Sequence, residues 1–214
     1  MNKDYKIAVI DYQMSNMFSI KNALDRLGYE NEVTSDYKKI MSAQGAVLPG
    51  VGSFPDAMEN IKALNLAPAI KDFISNGKPF MGICLGLQLL FSASEEFGHT
   101  KGLGIIEGTV RNFKSQPSIE RIPHVGWNQI KKMNLSNEDS NDHRPLDQIM
   151  DNEYFYFVHS YFVCPENEED ILTTTTYDDF EFCSSVLSKN VFASQFHPEK
   201  SGDKGLKILT NFFK

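Results

Sequence analysis

Residues 79–90, PFMGICLGLQLL, constrain this chain more than any other stretch. A short apolar run, 79–83, meets the corner Gly82-Ile83-Cys84-Leu85-Gly86 and continues as an amphipathic helix. Glycines two residues to either side of a nucleophilic side chain mark a strand-to-helix elbow, best known as G-x-S-x-G. The turn is tight, so its flanking positions exclude a Cβ. A strand that turns directly into a helix is the repeating unit of a parallel α/β sheet. The corner also sets the Cys84 thiol beside a helix N-terminus. Free backbone N–H groups and the helix dipole there favour thiolate over thiol and can hold a developing oxyanion. A cysteine in an apolar segment is also often a small buried hydrophobe, so a base elsewhere has to decide.

That base stands near the other end, in Ser194-Gln195-Phe196-His197-Pro198-Glu199-Lys200. In extended backbone, residues i and i+2 point to the same side. Pro198 fixes its own φ and biases His197 away from helix, so imidazole and carboxylate start close. A nucleophile, a base and a carboxylate that orients the base form the triad of covalent acyl transfer.

The rest of the chain supplies the sheet. Lys6–Ile10 reads as a first strand ending at Asp11-Tyr12, followed by a helix over 17–27 that stops at Gly28. Glu30–Thr34 and Gly45–Leu48 read as further strands, the latter entering Pro49-Gly50-Val51-Gly52. Helices follow Ser53, with Phe54, Ala57, Met58 and Ile61 on one face, and cover 67–75. This predicts an α/β fold, a doubly wound, mainly parallel sheet with flanking helices. Its strand-end loops share one rim, which carries both the elbow and PGVG. After Gly98, segments 105–113, 124–131, 154–163, 171–176, 182–187 and 191–196 read as strands without long helices between them. The C-terminal portion of the sheet is therefore expected to be antiparallel or mixed. Segment 133–150 starts polar and reads as a surface loop with a turn, and a helix over 204–213 closes the chain. No repeat or composition break divides it, so residues 1–214 read as a single domain.

A net charge of −7 argues against nucleic acid as a main partner. Cys84, Cys164 and Cys183 form no disulfide-like pattern, which suits a reducing cytosol. The first apolar run is too short for a signal peptide and none reaches membrane-spanning length, so the expected location is cytoplasmic. No C-x-x-C, H-x-x-x-H, Walker loop or G-x-G-x-x-G occurs after the first strand; neither a metal nor a cofactor is expected.

GICLG at 82–86 with Gln88, PGVG at 49–52 and FHPE at 196–199 resemble the class I (triad) glutamine amidotransferases. PHVGWN at 123–128 and YFVHSY at 156–161 narrow the resemblance to the glutaminase subunits of imidazole glycerol phosphate synthases, over nearly the whole chain from Lys6. The resemblance implies hydrolysis of L-glutamine to glutamate and ammonia with Cys84, His197 and Glu199 as the triad. It implies oxyanion and glutamine binding by Gly50, Val51, Gly52, Leu85, Gln88, His159, Ser160 and Tyr161. Gln88 lies one turn past Cys84 on the same helix face, among apolar neighbours, and a buried amide needs partners. His159 reads equally as a structural histidine at a strand end. Little chain follows Glu199, so no room is expected for an ammonia acceptor site. The implied partner is a (β/α)8-barrel cyclase subunit in a heterodimer, giving imidazole glycerol phosphate and AICAR. Gln13, Asn16, Trp127, Asn128 and Lys200 are the residues expected to face it, although core packing would equally explain Trp127.

One stretch departs from the family pattern. Asp11-Tyr12-Gln13-Met14-Ser15-Asn16 stands where D-Y-G-x-G-N is usual, and Leu87 and Val125 stand where Met is frequent. These changes leave the triad intact but leave the partner open. One alternative is a related barrel that aminates a nucleotide-linked surface sugar. Another is a non-catalytic binding module, against which the intact Cys, His and Glu speak.

Overall fold

The structure, a computed structural model, describes residues 5–14, 17–133 and 144–214. The first half alternates strands and helices: β1 (Lys6–Ile10), α1 (Met17–Arg26), β2 (Glu30–Thr34), α2 (Tyr37–Ser42), β3 (Gly45–Leu48), α3 (Phe54–Ala63), α4 (Leu66–Ser75) and β4 (Phe80–Ile83). After Cys84 come α5 (Leu85–Leu89), β5 (Phe91–Ser94), β6 (Thr100–Lys101), β7 (Ile106–Asn112), β8 (His124–Lys132) and β9 (Glu153–His159). They are followed by β10 (Tyr161–Pro165), β11 (Ile171–Tyr177), β12 (Phe180–Ser188), β13 (Val191–Ser194) and α6 (Gly202–Phe212).

Strands β2-β1-β3-β4-β13 run parallel, and the sheet continues through β12, β10 and β7 in antiparallel pairing. Beyond β7, β5 pairs in parallel and β6 closes the edge, while β11, β8 and β9 branch from β12. This is the doubly wound sheet with a mixed C-terminal portion that the periodicity predicts. Alternation within β1 explains the layers. Ile7 and Val9 face α1 and α6, against Ile20, Leu24, Ile208, Leu209 and Phe212. Ala8 and Ile10 face the other side, with Ile40, Ile61, Ile70 and Phe73 from α2, α3 and α4. Each such buried aliphatic or aromatic side chain contributes roughly 1.5–3 kcal/mol. Among the described residues, no helix is long and apolar enough to cross a membrane.

Several elements differ from the sequence reading. The elbow helix is not amphipathic: α5 is five residues long and buried on every side, and 91–94 is strand β5. Its residues have no polar face to give to solvent, and a helix apolar all round must be enclosed. Segment 154–163 is not one strand. It breaks at Ser160, so that β9 pairs with β8 while β10 pairs with β7 and β12. Helix α2 went unread, although Asp36 caps it by accepting from the Lys39 N–H at 2.9 Å. Of segment 133–150, residues 134–143 lie outside the described residues. The part at 144–150 holds a turn but is not wholly surface: Leu146 and Ile149 are buried, and Asn211 Nδ2 of α6 donates to the Pro145 and Asp147 carbonyls.

Candidate active site

Strand β4 ends in a backbone that few residues adopt. Cys84 has φ 56° and ψ −111°, a positive φ for a residue with a side chain. The glycine rule of the elbow has a visible cause. A Cβ at Gly86 would land on the Leu48 carbonyl oxygen, and one at Gly82 would sit 3.0 Å from Ala193 Cβ and from the Gly86 oxygen. Register fixes what stands beside the cysteine. Ile83 pairs with Ser194, and the Cys84 N–H donates to the Ser194 carbonyl at 2.7 Å. Gln195, next along, is fully buried and donates Nε2–H to Cys84 Sγ at 3.5 Å. The sequence signal for Gln195 was its i, i+2 spacing from His197, which places both on one side of extended chain.

Beyond β13, the backbone of His197 is pinned from both ends. Its N–H donates to the Tyr156 carbonyl at 2.9 Å, and its carbonyl accepts from Ser201 Oγ at 2.7 Å. Pro198 then opens a one-turn 3-10 helix that swings Glu199 back under the ring. His197 Nδ1 donates to Glu199 Oε1 at 2.8 Å, with the two side chains only 4% and 6% exposed. The carboxylate thus fixes the tautomer. Nε2 is buried without a hydrogen bond of ordinary geometry among the described residues. Burial disfavours the charged ring, but the acidic groups of Cys84 and Glu199 outweigh it and raise the His197 pKa to about 10. The ring is therefore held as an imidazolium beside Cys84.

A cavity of about 340 Å³ opens over these groups. That is within the roughly 300–1,000 Å³ of small-molecule sites. Cys84, His197, Val51, Gly52, Leu85, Gln88, His159, Ser160 and Tyr161 all line it, so the structure brings together most of the residues that sequence singled out for catalysis and glutamine binding. Gly50 lies behind the wall, packed on Tyr12. Gln88 donates Nε2–H to Gln195 Oε1 at 3.0 Å and to the Tyr161 carbonyl at 3.3 Å. The His159 ring is committed elsewhere. Its Nδ1 donates to the Tyr161 carbonyl at 2.8 Å, so its Nε2 must accept from His124 Nδ1 at 2.9 Å. Both rings are held neutral: burial lowers the pKa of His124 to about 4 and of His159 to about 3.

Glu96 also lines the cavity, and sequence reasoning missed it. Its carboxylate accepts from the Phe54 N–H at the start of α3 at 2.7 Å, and burial raises its pKa. Nothing local separates it from its neighbour Glu95; only the meeting of the turn after β5 with the start of α3 does. The 49–52 segment holds a second surprise. The Val51 N–H donates to the Met14 carbonyl at 3.3 Å, so it faces the 11–14 turn and not the cavity.

The β8–β9 hairpin carries the residues read as partner-facing. Val125 pairs with Val158, Trp127 with Tyr156 and Gln129 with Tyr154, all on one outer face. Trp127 is 56% exposed and packs edge-on against Tyr156, which excludes the core-packing alternative. Asn128 points to the opposite face, where Nδ2 donates to the Thr176 carbonyl at 2.9 Å and lies 3.3 Å from His124 Nε2. Lys200 is exposed at the cavity mouth and Gln13 is exposed on its turn; Asn16 lies outside the described residues.

Comparison with known proteins agrees with this geometry. The family model described as glutamine amidotransferase class-I matches residues 8–214. The chain is 46% identical over 209 residues to "Imidazole glycerol phosphate synthase subunit HisH" of Moorella thermoacetica, covering 96% of this chain and 93% of that protein. It is 47% identical over 210 residues to the protein of the same name from Aquifex aeolicus, covering 97% and 95%. Among solved structures, PurLQS from Thermotoga maritima superposes with a TM-score of 0.73 at 19% identity, covering 97% of this chain and 96% of that one.

Proposed function

Since the chain belongs to the class-I glutamine amidotransferase family, we propose from that premise that it is the glutaminase subunit of an imidazole glycerol phosphate synthase. One observation carries the mechanism: a buried His197–Glu199 pair leaves Nε2 free beside Cys84, on the floor of the cavity. The Cys84 thiolate attacks the side-chain amide carbon of glutamine. His197 Nε2 delivers its proton to the leaving ammonia, then takes one from the water that cleaves the glutamyl thioester, releasing glutamate. Glu199 holds the ring in the required tautomer. The Leu85 N–H, first in its helix and without an intrahelical acceptor, takes the oxyanion. Val51 or Gly52 supplies the second donor, and for Val51 this requires release from Met14.

Among the described residues Glu96 is the one carboxylate lining the cavity, so it receives the α-ammonium of glutamine; the backbone at 159–161 and Ser160 take the α-carboxylate. The partner is a (β/α)8-barrel cyclase subunit that uses the ammonia to form imidazole glycerol phosphate and AICAR. Its docking face is the exposed β8–β9 hairpin around Trp127, with Lys200 and the 11–14 turn alongside. The identities of 46% and 47% to proteins of that synthase favour this partner over one that aminates a surface sugar. Three free cysteines fit a cytoplasmic setting. The test is glutamate release by the chain with and without a cyclase subunit of the same genome and its nucleotide ligand. Activation by that pair, abolished by Cys84→Ala, is expected. A Cys84→Ala complex that still releases glutamate would overturn the mechanism.

A further inference from the structure

Tyr12 is fully buried, yet its hydroxyl has no hydrogen-bond partner among the described residues. An unsatisfied buried hydroxyl is costly, and a phenylalanine would fill the same space without that cost. The hydroxyl lies directly against Gly50: a Cβ built there would land on its oxygen, with Leu85 Cβ at 2.9 Å and the Gly86 nitrogen at 3.2 Å from the same point. It therefore stands between the 49–52 segment and the start of the elbow helix. Burial, reinforced by nearby Cys84, pushes its pKa far up, so it remains an O–H donor.

The neighbouring peptide shows what it could donate to. In a planar trans peptide, N–H and C=O point in opposite directions. The Val51 N–H now points at the Met14 carbonyl, in the same turn as Tyr12. Rotating the Gly50–Val51 peptide sends that N–H toward the cavity and swings the Gly50 carbonyl toward the turn. There it would face the Met14 carbonyl, two acceptors with no proton between them. Tyr12 is the donor in place. The rotation is shared between ψ of Gly50, which has no side chain to oppose it, and φ of Val51, and Gly52 just beyond, at φ +99°, can absorb strain passed along the chain.

We infer that Tyr12 is a positioning residue: its hydroxyl, unpaired in this conformation, donates to the Gly50 carbonyl once the peptide turns the Val51 N–H into the oxyanion site. The inference rests on the glutaminase reading above. In this role the hydroxyl slightly destabilises the resting protein and stabilises the competent one.

The test is Tyr12→Phe in the full complex with the cyclase subunit and its ligand. The expected result is a glutaminase kcat lowered about tenfold, the worth of roughly one transition-state hydrogen bond. KM for glutamine, the rate of Cys84 alkylation by iodoacetamide and partner affinity should stay as in the wild type, and the melting temperature of the free chain should be unchanged or higher. Wild-type kcat in Tyr12→Phe overturns the inference. So does a lowered melting temperature with raised KM and slowed alkylation, which would make Tyr12 merely structural. A wild-type complex that releases no glutamate would overturn the glutaminase reading and this inference with it.

Discussion

Replacing Glu199 by glutamine separates the charge of the His197–Glu199 pair from its shape. The carboxylate accepts from Nδ1 at 2.8 Å, and neither side chain is more than 6% exposed, so water screens the pair little. A glutamine is isosteric, and its amide oxygen can still accept from Nδ1, which keeps the tautomer. What disappears is the negative charge beside a ring that must be cationic. A hydrogen bond to a charged group contributes roughly 1.5–3 kcal/mol against about 1 for a neutral one. The loss of about 1–2 kcal/mol lowers kcat by roughly 5- to 30-fold, with KM little changed. Burial lowers the ring's pKa, while Cys84 and Glu199 together raise it to about 10. With Glu199 neutralised it falls. A folded-state pKa above the unfolded value near 6.5 stabilises fully below that value and fades as pH rises through about 10. The variant loses this contribution at lower pH. The gap in melting temperature between the two proteins is therefore full near neutral pH and closes as pH approaches 10. Steady-state glutaminase rates of the activated complex and melting curves over the same pH series measure both effects. A variant with wild-type kcat, or a gap that widens with rising pH, would refute the reasoning.

Other outcomes follow from the cavity and the hairpin. Glu96→Gln should raise KM for glutamine about tenfold while kcat falls much less, because it removes the charge assigned to the α-ammonium; an unchanged KM would place the substrate differently. Trp127→Ala should leave the melting temperature of the free chain nearly unchanged, since the ring is 56% exposed, but weaken cyclase binding in a calorimetric titration by about 1–2 kcal/mol or more. Unaltered binding would move the interface off the hairpin. Cys183→Ala should lower stability through lost packing yet leave turnover intact, and a loss of turnover at constant stability would contradict the assignment of Cys84.

What the sequence made legible was whatever repeats locally. Ile20, Ala23 and Leu24 form a helical stripe, and the elbow glycines declare a backbone clash that the Leu48 carbonyl then supplies. The His197–Glu199 pair was readable because it is local, although a 3-10 turn opened by Pro198, and not the extended chain expected, brings the carboxylate under the ring. Other features depend on distant partners. Glu96 becomes a cavity residue only when the turn after β5 meets the start of α3, and His124 meets His159 only through the β8–β9 register. The break at Ser160 reflects a change of strand partners, which no local propensity records. The direction of the Val51 N–H is a single peptide orientation, and the glycine that precedes it leaves it unspecified by residue type.

Cys84 and His197 leave the sheet from β4 and β13, neighbours whose hydrogen bonds tie Ile83 to Ser194. Adjacent strands lie about 4.8 Å apart, a spacing set by the ladder and not by loop conformation. These two strands are central, with helices on both faces, and such regions open only with the whole fold. The oxyanion segment and the hairpin, by contrast, lie at the rim. Warming short of the melting point therefore erodes substrate grip and oxyanion support first, and leaves the acid–base pair aligned. Heat tolerance of the chemistry and heat tolerance of its control are set by different parts of the molecule.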